Sequence, residues 1–303
     1  MRRQSGKPIT SSDLRDAAGI ESEGLSFDGI GDIHAAQTRN LLSFVKDPRY
    51  CEAVDANPHI SGVLCTPEIA PGFTRKGLTP VLCDDPNYCF FKLVDYRARH
   101  HIEDEPSSIE SPPPPGQNII ISDVGVTIGK NVRIGPNVTI LPGVDIGDEV
   151  QIGAGAVLGC DSFQHQRTSR GIVSPAHDGK LIIGPGAEIG ANNTLSIGFS
   201  YRDTCIGEGC RLDAQVYVAH GVDVGAQSFL CAGARIMGHV QIGARCWIGP
   251  GAIISSRLTI GDDANISLGS VVTQPVDAEA RVSGNFAVEH DRWIAFMRSL
   301  RPS

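Results

Sequence analysis

The chain has 303 residues, including 35 glycines and 19 prolines, with 41% hydrophobic and 6% aromatic residues. This composition excludes a disordered or collagen-like chain and indicates a globular protein rich in turns. The net charge of −8, from 26 basic and 34 acidic residues, disfavours nucleic acid and anionic membranes as partners.

The start of the chain is basic, but no apolar run follows it, and no segment reaches the roughly 18 apolar residues of a membrane-spanning helix. The nine cysteines form no Cys-x-x-Cys pair. Free thiols fit a reducing compartment best. We therefore expect a cytoplasmic protein with no integral membrane segment.

Residues 1–105 carry short apolar runs, at 60–64 and 79–83, among helix-like stretches. This pattern predicts a small α/β domain. Residues 106–117 include four consecutive prolines at 112–115, and such a tract is typical of a stiff, extended linker.

An aliphatic residue recurs at every sixth position from Ile128 to Val272, mostly followed by glycine in the first third of this region. The 21 hexads are interrupted only at 160–181 and 196–205. A six-residue period matches neither a helical stripe nor a hairpin meander, but it fits short parallel strands wound around a triangular prism. Three hexads make one coil, so residues 118–275 are predicted to form about seven coils of a mainly β protein.

Residues 276–303 are predicted to form a tail and one amphipathic helix. Trp293, Phe296, Met297 and Leu300 have the i, i+3, i+4, i+7 spacing of a helical stripe. Arg292, Arg298 and Arg301 form a basic cluster at the same end of the chain, with Arg298 and Arg301 off the stripe.

Several motifs follow one another in the order of a known family: Phe44-Val-Lys-Asp-Pro-Arg-Tyr50, the linker, the prism, Leu212-Asp-Ala-Gln-Val-Tyr-Val-Ala-His220 and a final helix. In these parts the chain resembles the hexapeptide-repeat acyltransferases, and among them the UDP-3-O-acylglucosamine N-acyltransferases of lipid A and lipopolysaccharide synthesis. The resemblance implies a left-handed parallel β-helix and a homotrimer with active sites between neighbouring prisms.

The resemblance also implies an activity. Family members transfer a 3-hydroxyacyl group from acyl carrier protein to the 2-amine of a UDP-linked glucosamine. The expected partners are a thioester co-substrate, carried by acyl carrier protein or coenzyme A, and a nucleotide sugar, with no further cofactor and no metal. Three features depart from the family pattern: the prism is about two coils shorter before His220, Arg257 replaces a second histidine, and Asp47 replaces an asparagine.

His220 is the candidate general base, because an amine attacking a thioester must lose a proton and an imidazole suits that role. It lies two residues after the inward Val218, and the resemblance gives it the family's catalytic position. Adding one coil of eighteen residues to His220 gives Gly238, whose backbone N–H is a candidate oxyanion donor. The alternatives are a histidine that hydrogen-bonds across a trimer interface and a glycine that only turns a corner.

His239 and Arg257 are also eighteen residues apart, which predicts that they face one groove and contact substrate. Arg257 suits a diphosphate or a sugar carboxylate, and a solvated surface arginine is the alternative. The family resemblance adds Asp161 and Phe163 as residues of a loop near the substrate.

Phe44 and Tyr50 bracket a short loop, and the matching aromatics of the family stack on uracil. An asparagine at position 47 would suit uracil, whereas the ionised Asp47 can only accept hydrogen bonds. Without the family motif, Phe44 and Tyr50 are better interpreted as ordinary core aromatics.

Three other functions stay open. A nucleotide-sugar N-acetyltransferase of O-antigen synthesis would use acetyl-CoA or another short acyl-CoA, and the departures at Asp47 and Arg257 favour it. A scaffold without catalysis would need neither His220 nor Gly238. A zinc enzyme of the carbonic anhydrase type ranks last, because only His220 and His239 fall in neighbouring columns.

Overall fold

The computed structural model describes residues 2–4, 7–36, 38–104, 106–113, 117–200, 202–284 and 287–299. Most of the chain after residue 107 winds into a left-handed parallel β-helix with three flat faces, as the hexads predict. Each face is one parallel sheet with eight strands in the described residues.

The strands of each face stack in register from one coil to the next. The first face consists of Ile120–Ile121, Thr139–Ile140, Val157–Cys160, Thr194–Ser196, Tyr217–Val218, Arg235–Ile236, Ile253–Ile254 and Val271–Val272. The second consists of Ser108–Ile109, Val126–Ile128, Val144–Ile146, Leu181–Ile183, Thr204–Ile206, Asp223–Val224, Gln241–Ile242 and Thr259–Ile260. The third consists of Arg133–Ile134, Gln151–Ile152, Glu188–Ile189, Arg211–Leu212, Phe229–Leu230, Trp247–Ile248, Asn265–Ile266 and Arg281–Val282.

The hexad residues fill the interior of the prism. Leu195, Val218, Ile236 and Ile254 follow one another up the first face, each fully buried. Burial of this ladder supplies the main driving force for the prism, because apolar area is removed from water at every coil. The inward ladder is the physical reason for the six-residue period.

The prism extends beyond the predicted hexads at both ends. Ser108–Ile109, inside the segment predicted as a linker, pairs with Thr127 and Ile128 and begins the second face. An extended, proline-rich chain is compatible with such an edge strand because one side of it needs no ladder hydrogen bonds. Arg281–Val282 adds a strand after the last hexad, and Pro114 and Pro115 of the predicted linker lie outside the described residues. The proposed domain boundaries stay predictions.

The N-terminal part is built around a four-stranded parallel sheet, Gly29–Ile30, Leu41–Phe44, Ile60–Cys65 and Thr79–Leu82. Two small antiparallel pairs join Arg2–Gln4 to Ile102–Asp104 and Ile9–Thr10 to Ser26–Phe27. The α-helices are Ser11–Ala18, Cys51–Ala56 and Pro86–His100, and the 3-10 helices are Pro48–Tyr50 and Ala70–Gly72.

The last helix, His290–Ser299, has no buried residue. Its apolar residues Trp293, Phe296 and Met297 are exposed, and Leu300 and Arg301 lie outside the described residues. No helix in the described chain is long and apolar enough to cross a membrane. All nine cysteines are free thiols.

Candidate active site

His220 occupies the corner between the first and second faces, two residues after the inward Val218 and three before the strand Asp223–Val224. Its side chain is turned into the molecule, with only 6% of the residue exposed. Ring atom Nδ1 is hydrogen-bonded to the hydroxyl of Ser162, so the opposite atom, Nε2, is directed away from that contact. The corner therefore presents one ring nitrogen of a buried imidazole to the next coil.

Gly238 lies directly above His220, because Tyr217 and Val218 pair with Arg235 and Ile236. A β-carbon on Gly238 would stand 2.8 Å from His220 Nε2 and 2.9 Å from Cε1, closer than packed atoms approach. Among the described residues, its backbone N–H donates to no acceptor. Glycine at this position therefore leaves room for the His220 ring, and the oxyanion role of its backbone N–H stays a prediction.

Gly221, His239 and Arg257 form a second column, one residue further along each coil. All three have left-handed backbones, with φ of 64°, 61° and 65°. The same conformation recurs at corners along the prism. It is therefore a general feature of the coils and does not indicate backbone strain specific to this site. Gly221 lacks a side chain, and the imidazole of His239 fills that space, with Nδ1 2.6 Å from where a β-carbon would be.

Three imidazoles meet at this corner. The ring centroids of His177 and His220 are 5.6 Å apart, and those of His220 and His239 are 4.9 Å apart. Phe199 packs against His177 at 5.1 Å and His220 at 5.9 Å. Burial lowers the pKa of His177 and of His220 to about 4, and that of His239 to about 3, with neighbouring positive charge as a smaller cause. All three rings are therefore neutral at physiological pH.

A cavity of about 320 Å³ joins the N-terminal part to the prism beside this corner. Its lining includes Phe44 and Lys46 from the N-terminal part, and His239 and Arg257 from the prism. Arg257 forms an ion pair there with Asp32. The structure thus brings Phe44, His239 and Arg257 to one space, although the sequence assigned them to two separate groups.

Asp47 and Tyr50 do not line this cavity. Asp47 caps the 3-10 helix Pro48–Tyr50 by accepting from the Arg49 backbone at 3.0 Å, and Arg49 also donates to its carboxylate at 2.7 Å. This pairing lowers the pKa of Asp47. Tyr50 is 45% exposed, and Phe44 packs against Phe90 with ring centroids 4.4 Å apart. Of the three predicted nucleotide contacts, only Phe44 therefore reaches the cavity.

Asp161 and Phe163 begin the first interruption of the prism, and both are largely exposed. The Asp161 carboxylate lies 3.7 Å from Nδ1 of His177. The Phe163 ring contacts His165 edge to face, with centroids 4.7 Å apart. Asp161 thus borders the imidazole cluster, whereas Phe163 extends into solvent, and their substrate contacts stay predictions.

The same interruption attaches the N-terminal part to the prism. Its hairpin, Gln166–Thr168 and Gly171–Val173, packs on the helix Pro86–His100. Asp85 accepts from the N–H of Tyr88 at 2.9 Å as the helix cap, and from the Ser169 hydroxyl at 2.6 Å. Sequence reasoning missed this contact because the two residues are separated by 84 positions and carry no shared motif.

Despite the three neighbouring imidazoles, the described part of the chain has no group of three or more His, Cys, Asp or Glu side chains placed to hold a metal ion. His220 Nδ1 is already engaged with Ser162.

Comparison with known proteins identifies the repeats. A model of the bacterial transferase hexapeptide with six repeats matches residues 125–160, and a model of the hexapeptide repeat of succinyl-transferase matches residues 239–274. The chain thus contains hexapeptide repeats near both ends of the prism.

Several bacterial UDP-3-O-acylglucosamine N-acyltransferases are similar to part of this chain. It is 31% identical over 145 residues to UDP-3-O-acylglucosamine N-acyltransferase of Bordetella pertussis, which is 46% of this chain and 40% of that protein. It is 42% identical over 85 residues to the enzyme of the same name from Chlamydia pneumoniae, which is 28% and 23% of the two chains. The aligned parts thus span less than half of these relatives.

The structure of LpxA from Acinetobacter baumannii aligns with a TM-score of 0.52 and 22% identity, over 66% of this chain and 75% of that one. At this identity the likeness concerns the fold alone. It agrees with the left-handed β-helix described above.

We expect the stability of the protein to fall as the pH is lowered from about 6.5 towards 4. Because burial lowers the pKa of all three imidazoles from 6.5, the unfolded chain binds protons in this range that the folded chain does not. Asp178 partly offsets the effect, because burial raises its pKa to about 6 and the folded state keeps that proton longer.

Calorimetric melting temperatures between pH 7.5 and 4 test this expectation. The variant His239→Gln should show a shallower decline than the wild type, whereas His290→Gln, on the exposed last helix, should match the wild type. A melting temperature that stays constant across this range would contradict the assignment of three neutral, buried imidazoles.

Proposed function

We propose that this protein is an N-acyltransferase that moves an acyl group from a thioester donor to the amine of a nucleotide-linked amino sugar such as UDP-3-O-acylglucosamine. The observation that carries the proposal is the close approach of His220 Nε2 to Gly238 at a prism corner beside an interdomain cavity. The names of the relatives support the substrate class. The pathway would be that of lipid A.

The chemistry follows from the two groups at the corner. As the sugar amine attacks the thioester carbonyl, a C–N bond forms and the amine proton passes to Nε2 of His220. The carbonyl oxygen becomes negative and receives the hydrogen bond of the Gly238 N–H. The C–S bond then breaks, and the thiolate takes the proton from the imidazolium. No further cofactor and no metal takes part.

The acceptor would enter the cavity from the N-terminal side. Phe44 offers an aromatic edge for a base, and Lys46 and Arg257 bring positive charge for a diphosphate. Asp47 and Tyr50 would contribute only after the loop at 46–50 changes its contacts, because Arg49 now occupies the Asp47 carboxylate. His239, Asp161 and Phe163 complete the proposed substrate contacts.

Two donors remain candidates. An acyl carrier protein is acidic and would dock on a basic surface, such as the end of the last helix, where Arg292 and Arg298 are exposed. A short acyl-CoA is the alternative, favoured by the unusual Asp47 and Arg257. Both donors place the reaction in the cytoplasm, where we propose that the protein acts.

Incubation of the purified protein with a panel of nucleotide amino sugars and both donor types, read by mass spectrometry, tests the function. We expect one acylated product, and we expect His220→Ala to lower turnover at least about 100-fold, since general bases contribute about 10²–10⁴-fold. The control His100→Ala, an exposed histidine at the end of a helix, should retain wild-type turnover.

No product with any pair of substrates, or an unchanged rate in His220→Ala, would contradict the proposal. The product mass also decides between the two donors. A product formed only with acetyl-CoA would assign the protein to the short-chain alternative.

We also propose a homotrimer in which the third face of one prism covers the first face of its neighbour. On the third face, Phe229 and Trp247 are each 43% exposed and touch edge to face, beside an open cavity of about 790 Å³. On the first face, Ile120 and Val271 are 58% and 57% exposed. Three such head-to-tail contacts would close a ring and leave the His220 corner at the rim of each interface.

Sedimentation equilibrium tests the assembly. The wild type should sediment as a trimer, and Trp247→Arg should shift it towards monomer, because a charge in a buried apolar interface lacks solvation. The matched variant Gln241→Arg, on the exposed second face, should stay trimeric. A monomeric, active wild type would refute both the trimer and a site shared between prisms.

A further inference from the structure

Ser162 contacts both His220 and His177 from the first interruption of the prism. Its hydroxyl is hydrogen-bonded to Nδ1 of His220 and lies 3.4 Å from Nε2 of His177. Its backbone N–H donates to the same Nε2 at 3.3 Å. A single half-buried serine therefore connects the candidate base to a second imidazole that is 97% buried.

The hydrogen-bond donors fix where the protons lie. Since the backbone N–H of Ser162 can only donate, Nε2 of His177 must accept, and neutral His177 carries its proton on Nδ1, facing Asp161 at 3.7 Å. The hydroxyl of Ser162 has one proton, which Nε2 of His177 is placed to receive on the lone pair that it shares with the Ser162 N–H.

The lone pairs of the Ser162 hydroxyl then face His220. The backbone N–H of His220 donates to this oxygen at 3.4 Å, which also requires the oxygen to act as an acceptor. The contact with Nδ1 of His220 is satisfied when that nitrogen carries the imidazole proton. Nε2 is then left as a lone pair beside Gly238.

We infer that Ser162 and His177 are positioning residues that hold His220 in the tautomer protonated on Nδ1, with Nε2 ready to accept the proton of the sugar amine. This inference rests on the proposed function for its consequence in catalysis. The tautomer itself can be measured without any substrate. Phe199, packed on both rings, restricts their rotation and so maintains the contact.

The alternative tautomer would disable the site. If the serine hydroxyl donated to His220 Nδ1, Nε2 would carry a proton and could not act as a base. The second imidazole prevents this arrangement by competing for the hydroxyl proton. His177 thus acts through Ser162 and does not touch the reacting atoms.

Nitrogen-15 NMR of histidine-labelled protein, with His220 assigned by the variant His220→Gln, tests the inference. The wild type at pH 7 should show a protonated Nδ1 and an unprotonated Nε2 on His220. Ser162→Ala and His177→Phe should yield a mixture of the two tautomers. Ser162→Thr keeps the hydroxyl and should keep the single tautomer.

Kinetics supply a second readout. Ser162→Ala should lower kcat at least about tenfold, a part of the 10²–10⁴-fold that a general base contributes, with KM unchanged. Ser162→Thr should restore most of kcat. Melting temperatures of both variants separate this effect from loss of folding, and His177→Phe repeats the test where the alanine variant unfolds.

The outcomes separate the two proposals. A wild-type His220 protonated on Nε2, or a tautomer unaffected by both substitutions, would overturn the positioning role. An acyl ester on Ser162, seen by mass spectrometry, would also overturn it, because the serine would then be a nucleophile. The expected tautomers in a protein without transferase activity would support the positioning role and refute only the proposed function.

Discussion

The register of one coil on the next is the constraint on which this site depends. From Tyr217 to Val272 each coil repeats after eighteen residues, and hydrogen bonds between backbones fix that repeat. The His239 N–H donates to the His220 carbonyl at 2.9 Å, and the Arg257 N–H donates to the Gly238 carbonyl at 3.0 Å. Residues far apart in sequence are thereby held at fixed positions along one corner. The proposed pair of His220 and Gly238 needs such rigidity, because small displacements weaken proton transfer and oxyanion stabilisation.

The first interruption supplies polar side chains at the His220 corner that a regular prism does not have. The strands before and after the first interruption are neighbours on the first face, where Val157 pairs with Thr194, 37 positions later in the chain. The first interruption places Ser162 against Nδ1 of His220, with His177 next to both. It also contacts the N-terminal helix through Asp85. A hexapeptide prism alone offers exposed corners. The interruption converts one corner into a buried, polar site next to a cavity.

The sequence predicts the parts of this arrangement that follow from period and register. The hexads specify the inward ladder, and the addition of eighteen to His220 locates Gly238 because every coil in that region has the same length. Ser162 and His177 were not predicted as partners of His220, since loops obey no period. Their only signal was the cluster of polar residues in the first interruption.

In the N-terminal part, local sequence motifs did not predict which side chains line the cavity. Phe44 reaches the cavity, whereas the Asp47 carboxylate turns to Arg49, two residues away. Arg257 forms an ion pair with Asp32, which is 225 positions earlier in the chain. The pairing of Arg257 with Asp32 does not follow from sequence spacing, because it depends on how the N-terminal part docks on the prism. The roles of these residues towards substrate are accordingly proposals.

The central claim is that His220 Nε2, beside Gly238, receives the proton of an amine bound in the interdomain cavity. A crystal structure with a UDP-linked 2-amino sugar tests this claim most directly. The account predicts the amine within about 2.6–3.2 Å of Nε2, or one water away, with the nucleotide extending towards Phe44. A sugar bound elsewhere, such as along the third face against Phe229 and Trp247, would contradict it.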